Sequence, residues 1–165
     1  APTTTRIWKE EPTCSEARLA QVAHALAREL RMGDRVLLEG SMGVGKTTFS
    51  RALLHGLGVR QPPEGSPTFA IAHEYEAPLG NVIHIDFYRL KSKTEIEEAG
   101  IPEYFWGREA IVIAEWTSMW PEFEAAVLAS ASQAERGKVR NWRVRLAFGG
   151  DESSRAVVIE TAVSS

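Results

Sequence analysis

Gly40-Ser41-Met42-Gly43-Val44-Gly45-Lys46-Thr47 follows the spacing G-x-x-x-x-G-K-[ST], a pattern whose parts suit the polyphosphate of a nucleoside triphosphate. Glycines let the backbone turn tightly and aim main-chain N–H groups at one point, where they and the amino end of a following helix hold phosphate oxygens. Lys46 has the reach to meet the β- and γ-phosphates, and Thr47 offers a hydroxyl of the right hardness for Mg2+. Two apolar runs then end in acids, Val82-Ile83-His84-Ile85-Asp86 and Ile111-Val112-Ile113-Ala114-Glu115. A strand-tip carboxylate beside such a loop either coordinates Mg2+ or orients an attacking water, and residue type leaves both roles open to Asp86 and Glu115. The ordinary alternatives are a turn-capping acid for Asp86 and a surface acid for Glu115.

Other groups carry weaker signals. His84 shares a strand face with Asp86 and Tyr88 by period-two geometry, yet a lone histidine on a buried strand is more often a hydrogen-bonded core residue than a catalyst. Ser66-Pro67-Thr68 follows the Pro-rich stretch Gln61-Pro62-Pro63-Glu64-Gly65, which is expected to be exposed and mobile. Thr68 there could sense a γ-phosphate, although a plain turn is the commoner meaning of such a tripeptide. Arg89 is expected to pair with Glu95 or Glu97 rather than with phosphate. Trp106, Trp116 and Trp120 could stack a base, anchor a partner or pack the core edge.

The secondary structure around these groups is legible in outline. Thr13-Cys14-Ser15-Glu16 reads as a capping box opening a helix with Leu19, Val22, Ala23, Leu26 and Leu30 at helical spacing, closed by Met32-Gly33-Asp34. The spacing predicts a strand over Arg35–Glu39, the loop, and a helix over Thr48–Leu57. A looser strand over Thr68–Glu76, a turn at Pro78-Leu79-Gly80-Asn81 and the two acid-ended strands follow. The crossover between those two contains a short helix over Lys93–Ala99 and is long enough for parallel pairing. Pro121 starts a further helix, Ser130–Gly137 reads as a polar linker, and the chain ends in a hairpin. In it Trp142, Val144, Leu146 and Phe148 share one face, and Gly149-Gly150-Asp151 turns into Ala156–Thr161.

A chain of 165 residues, 44% of them hydrophobic, is long enough for one core and short for two, so a single domain over 1–165 is expected. Its net charge of −3 argues against gripping nucleic acid alone, which needs clustered Lys and Arg. The single cysteine, Cys14, excludes an internal disulfide and a cysteine-rich metal site. No apolar run is long enough to cross a bilayer, and Ala1-Pro2-Thr3-Thr4-Thr5-Arg6 lacks the apolar core of a secretion signal, so a cytoplasmic location and no membrane partner are expected. The absence of an initiator Met suggests trimming.

In order, Gly40 to Thr48, Ser66-Pro67-Thr68-Phe69, His84-Ile85-Asp86-Phe87-Tyr88-Arg89-Leu90, Gly100-Ile101 and Glu115-Trp116 resemble the TsaE (YjeE) family of bacterial ATPases for tRNA threonylcarbamoyladenosine biosynthesis. The resemblance covers about residues 5 to 120. It implies an α/β, P-loop NTPase-like fold with a mostly parallel central sheet, flanking helices and a C-terminal antiparallel hairpin. ATP and Mg2+ are the implied ligands, and TsaB and TsaD the implied partners, with tRNA met indirectly through that assembly. There TsaD places the threonylcarbamoyl group on an adenosine next to the anticodon of tRNAs that read ANN codons, and the ATPase supports repeated turnover. Carried over by position, Lys46 and the amides of Gly43, Val44, Gly45, Thr47 and Thr48 bind the phosphates, Thr47 and Glu115 hold Mg2+, and Asp86 positions the water. Thr68 falls in a switch-like segment, and Trp116 supports the site. Two positions depart from the family pattern: Ser41 stands where Asp is usual, which touches hydrolysis or a partner contact more than binding, and Phe69 stands where Tyr is usual.

A small-molecule kinase shares the loop and the size but requires a basic lid, and Ser118–Ser132 is apolar and acidic. A regulatory GTPase requires N-K-x-D and D-x-x-G, and neither occurs. A nucleotide-gated binding scaffold differs from the leading expectation only in whether turnover matters. The expected product is a weak ATPase made useful by its partners.

Overall fold

The computed structural model describes residues 3–41, 43–60, 71–107, 109–130, 139–151 and 153–164. Seven strands form one sheet: β1 (Thr3–Cys14), β2 (Arg35–Glu39), β3 (Ala72–Ala77), β4 (Gly80–Asp86), β5 (Ile111–Glu115), β6 (Asn141–Phe148) and β7 (Arg155–Ser164), in the spatial order β1-β7-β6-β2-β5-β4-β3. Among the described residues four α-helices accompany them: α1 (Glu16–Glu29), α2 (Lys46–Gly56), α3 (Lys93–Glu98) and α4 (Pro121–Ala129).

The sheet is mixed, which corrects the expectation of a mostly parallel one. The inner pairs β6·β2, β2·β5 and β5·β4 are parallel, whereas β1·β7, β7·β6 and β4·β3 are antiparallel. Loop length explains the β4·β3 and β7·β6 pairs, because a tight turn can only return the chain antiparallel, and parallel neighbours need a crossover. Pro78-Leu79 joins β3 to β4, and Gly149-Gly150-Asp151 lies in the β6–β7 turn.

The amino-terminal strand, legible in sequence only as an apolar patch at Ile7-Trp8, adds the outermost antiparallel pair. Its register on β7 shifts between Ile7 and Lys9 and again between Glu11 and Cys14. Pro12 falls in the second irregularity, where its missing N–H breaks no ladder bond.

Both faces of the sheet are covered, and strand alternation sorts the side chains between them. Val36 and Leu38 of β2 and Ile111 and Ile113 of β5 join Leu19, Leu26, Phe49 and Leu53 of α1 and α2 in one buried cluster. Leu37, Val112 and Ala114 face the other way with Ile83, Ile85, Phe87, Ile101, Phe105 and Val127. Burial on both sides is why β2 and β5 read as continuous apolar runs.

Two helix starts differ from expectation. Ser15 rather than Thr13 caps α1, its hydroxyl accepting from Arg18 N at 3.1 Å, because Thr13 is still in β1. α2 begins at Lys46, two residues ahead of the expected Thr48, with Gly45 as its cap. Among the described residues no helix is long and apolar enough to cross a membrane.

Candidate functional site

The parallel register of β4 on β5 pairs Asp86 directly with Glu115, so both acids emerge at the carboxyl edge of the sheet. Strand β2 lies on the other side of β5 and runs into the glycine loop at this same edge, where open α/β sheets receive ligands. Gly43, Gly45, Lys46, Thr47, Thr48, Asp86, Tyr88, Glu115 and Trp116 line one cavity of about 280 Å³. The acid that ends β2 is engaged elsewhere: the Glu39 carboxylate accepts from Arg143 Nε at 3.1 Å and from Arg145 Nε at 3.2 Å.

Loop shape follows from its glycines. Gly45 has φ +111° as the residue before α2, a left-handed conformation that a Cβ would strain. Gly40, at φ +149°, lies so close to β6 that a Cβ there would come within 2.7 Å of Leu146 O. With α2 starting at Lys46, the N–H groups of Lys46, Thr47 and Thr48 belong to the first turn, which has no carbonyl of its own to bond. They and the helix dipole favour an anion. Val44 is not among the residues lining the cavity: its side chain is fully buried and its N–H donates to Ser41 O at 3.3 Å.

The Lys46 ammonium donates to the carbonyls of Gly40 and Ser41, the latter at 3.2 Å, and lies 3.7 Å from the centroid of the Trp116 ring. Burial pushes its amine below the ordinary lysine value, while the nearby Glu115 and Asp86 carboxylates pull it back up. Trp116 has φ +64°, the only positive φ of a non-glycine residue among those described. Such a conformation is held only by its surroundings, and here it turns the indole over Lys46 and against Tyr88, whose ring centroid is 5.2 Å away.

Burial raises the Asp86 carboxyl above its usual range, and the Glu115 charge adds to this, although Tyr88 N, Arg89 and His84 oppose it. Asp86 Oδ1 accepts from Tyr88 N at 3.0 Å, and Arg89 Nε lies 3.8 Å from Oδ2. Arg89 therefore approaches Asp86, where pairing with Glu95 or Glu97 was expected. His84 Nε2 lies 2.7 Å from Glu115 Oε2, which ties the histidine to one of the two site acids. Period-two geometry already placed it on the Asp86 face, but its partner sits on the neighbouring strand and left no signal in the sequence.

Among the described residues no three His, Cys, Asp or Glu side chains converge as a metal cage. Mg2+ commonly takes one or two carboxylates together with substrate phosphates and water, and the Thr47 hydroxyl with a strand-tip acid is a donor set of that kind. Thr68, with the rest of Ser66-Pro67-Thr68-Phe69, lies outside the described residues, as do Met42 and most of the linker over Ser130–Gly137. Of the three tryptophans, Trp120 donates Nε1 to Phe87 O at 3.3 Å and Trp106 packs on Phe105 and Phe123, so only Trp116 lines the cavity.

The chain matches the family described as Threonylcarbamoyl adenosine biosynthesis protein TsaE over residues 13–141. It is 37% identical over 101 residues to the tRNA threonylcarbamoyladenosine biosynthesis protein TsaE of Bacillus subtilis, an alignment spanning 61% of each chain. With the protein of the same name from Aquifex aeolicus it shares 32% identity over 130 residues, 78% of this chain and 92% of the relative. The chain thus spans less than two thirds of the length of the Bacillus relative and nearly all of the Aquifex one. The crystal structure of Bacillus subtilis YdiB superposes with a TM-score of 0.65 at 23% identity, covering 99% of this chain and 89% of that one, and shares the fold.

Proposed function

The chain belongs to the TsaE family, whose members take their name from threonylcarbamoyladenosine biosynthesis in tRNA, and we propose that it is a single-domain, P-loop NTPase-like protein that binds and hydrolyses ATP with Mg2+ in that process. One observation carries this reading: Lys46 and the first-turn amides of α2 share a cavity with two register-paired acids, Asp86 and Glu115. Cations and N–H donors on one side with carboxylates on the other suit a polyphosphate and its counter-ion.

The amides of Gly43, Val44, Gly45, Lys46, Thr47 and Thr48 hold phosphate oxygens, and Lys46 exchanges the Gly40 and Ser41 carbonyls for them. Thr47 and Glu115 hold Mg2+, with His84 keeping the Glu115 carboxylate oriented from behind. Bound there, the ion supplies charge neutralisation on the phosphates. Asp86 aligns the attacking water and takes up its proton, a role that its raised pKa favours. Thr68 belongs to a segment that answers the γ-phosphate.

Catalysis of this kind is mostly positioning and electrostatics, and an arginine directed at the developing charge often supplies a large share. Among the described residues no arginine lines the cavity, which supports weak turnover by the chain alone and stimulation by TsaB and TsaD in the cytoplasm. In that assembly the group transferred to adenosine in tRNAs reading ANN codons is handled by the partner enzyme.

The test is calorimetric titration with ATP and GTP, with and without Mg2+, for the parent chain and Lys46→Ala. Tighter binding of ATP than of GTP is expected in the parent, with affinity for both lost in Lys46→Ala. Equal affinity of the variant and the parent overturns the reading. Asp86→Asn then separates hydrolysis from binding: bound ATP without turnover is the expected result.

A further inference from the structure

Among the described residues the β6–β7 hairpin meets the phosphate loop at Gly40 and at Val44, and the nucleotide-binding roles of the loop do not account for either contact. At the loop's start Gly40 abuts Leu146 of β6. Near its end Arg155, the first residue of β7, donates from Nε to Val44 O at 2.9 Å. The guanidinium lies over the Phe148 ring, 4.7 Å from its centroid, and Nη1 donates to Ser154 O at 3.0 Å. Arg155 lies beyond the residues matched to the family, 13–141.

A trans peptide is planar, with its C=O and N–H directed oppositely. The peptide between Val44 and Gly45 has its oxygen held toward β7, so the Gly45 N–H is turned away from the hairpin. Sheet order decides what lies on that far side: from β2 the hairpin lies in one direction and β5 and β4, carrying Glu115 and Asp86, in the other. Gly45 lines the cavity that holds those acids. Glycine gives this peptide little steric resistance to flipping, so its direction rests on what binds the carbonyl.

We propose that Arg155 is a positioning residue for the phosphate loop: by holding the Val44 carbonyl outward it fixes the Gly45 amide toward the cavity as a donor to a nucleotide polyphosphate, with Phe148 keeping the guanidinium in place. This rests on the functional reading above. Arg155 donates to the loop and is not among the described residues that line the cavity.

The experiment compares Mg·ADP affinity and the Gly45 amide signal in proton–nitrogen correlation spectra for the parent, Arg155→Met and Arg155→Lys. In the parent the Gly45 amide proton should move downfield on binding. Arg155→Met should bind roughly tenfold more weakly, as expected for loss of a charge-assisted hydrogen bond, and its Gly45 shift should shrink; Arg155→Lys, which can still donate, should recover part of both.

Parental affinity in Arg155→Met overturns the proposal, as does weaker binding with the Gly45 shift intact, since that is loss of charge without loss of alignment. If Arg155→Met does not fold, Phe148→Ala decides, because it loosens the guanidinium without removing it: about a twofold to fivefold loss is expected, and parental affinity overturns the proposal. A parent that binds no nucleotide overturns the functional reading and this inference together, whereas failure in the variants alone leaves that reading standing.

Discussion

The Lys46 ammonium lies 3.7 Å from the centre of the Trp116 ring while donating to the Gly40 and Ser41 carbonyls. A partly buried cation on an indole face is worth about 1 kcal/mol, small enough for a polyphosphate to draw the ammonium away. Adding ATP and Mg2+ should therefore change tryptophan emission, and Trp116→Phe should remove that change despite the four remaining tryptophans of the chain's five. A signal that persists undiminished in Trp116→Phe counts against the coupling of these two residues.

Asp86 sits where function and stability oppose each other. Its carboxyl titrates above the usual range because burial, and then Glu115, disfavour the charge. A carboxyl whose folded pKa is raised stabilises the fold below its unfolded pKa, and that contribution is lost as pH rises through the folded value. At neutral pH the ionised group is thus a cost. Asp86→Asn, which can still cap Tyr88 N, should melt higher than the parent at pH 7 and lose that advantage in acid. Thermal melts over pH 3 to 8 check this; a lower melting temperature for the variant at pH 7 refutes it.

Strand β2, the loop and both acid-ended strands were legible because a buried parallel strand declares itself as a continuous apolar run, and the loop through its spacing. Strand β1 was not: along Thr5–Thr13 its side chains are exposed or half-buried, so there is little hydrophobic alternation to read. The mixed sheet follows from that omission and from two tight hairpins. In the site, each residue on its own element was identifiable, whereas the His84–Glu115 and Arg155–Val44 contacts were not. They join residues 31 and 111 positions apart, and only strand order brings them together.

Two glycines of one loop should fail differently. At Gly40 a Cβ would come within 2.7 Å of both Leu146 O and Val44 Cγ1, and the Leu146 oxygen is backbone that cannot swing aside. Gly40→Ala should therefore cost stability, on the order of 2 kcal/mol by overpacking and strain, together with binding. At Gly43, φ is +75° but, its chain neighbours aside, no described residue lies within 4 Å of a Cβ. Gly43→Ala should cost only about 1 kcal/mol of left-handed strain and act mainly on nucleotide affinity. Urea melts beside ADP titrations distinguish the two; equal stability losses contradict the packing difference.

Arg35 provides the control at the opposite end of the sheet. Its guanidinium, 2% exposed, donates to Phe105 O at 2.7 Å, Ser130 Oγ at 2.6 Å, Val127 O at 3.3 Å and Asn141 Oδ1 at 3.4 Å. It thus joins the end of α4 to the helical turn at Glu103–Gly107 through β2. Burial brings its pKa down to about 10, with Asp34 pulling the other way, so at pH 7 the group is charged and held largely by neutral oxygens. Removing it in Arg35→Ala takes the charged donor from Phe105 O and Asn141 Oδ1, while Val127 O keeps Asn141 Nδ2 and Ser130 as donors, a loss of about 3 kcal/mol and a melting temperature lower by roughly 6–12 °C for a chain of this size. Arg35 begins β2, whereas the phosphate loop follows its end, so ADP affinity well below the melting temperature should remain within about twofold of the parent, the ordinary margin for uncoupled distant sites. A large loss of affinity with stability unchanged would mean that the two ends of β2 are coupled in a way this hydrogen-bond arrangement does not provide.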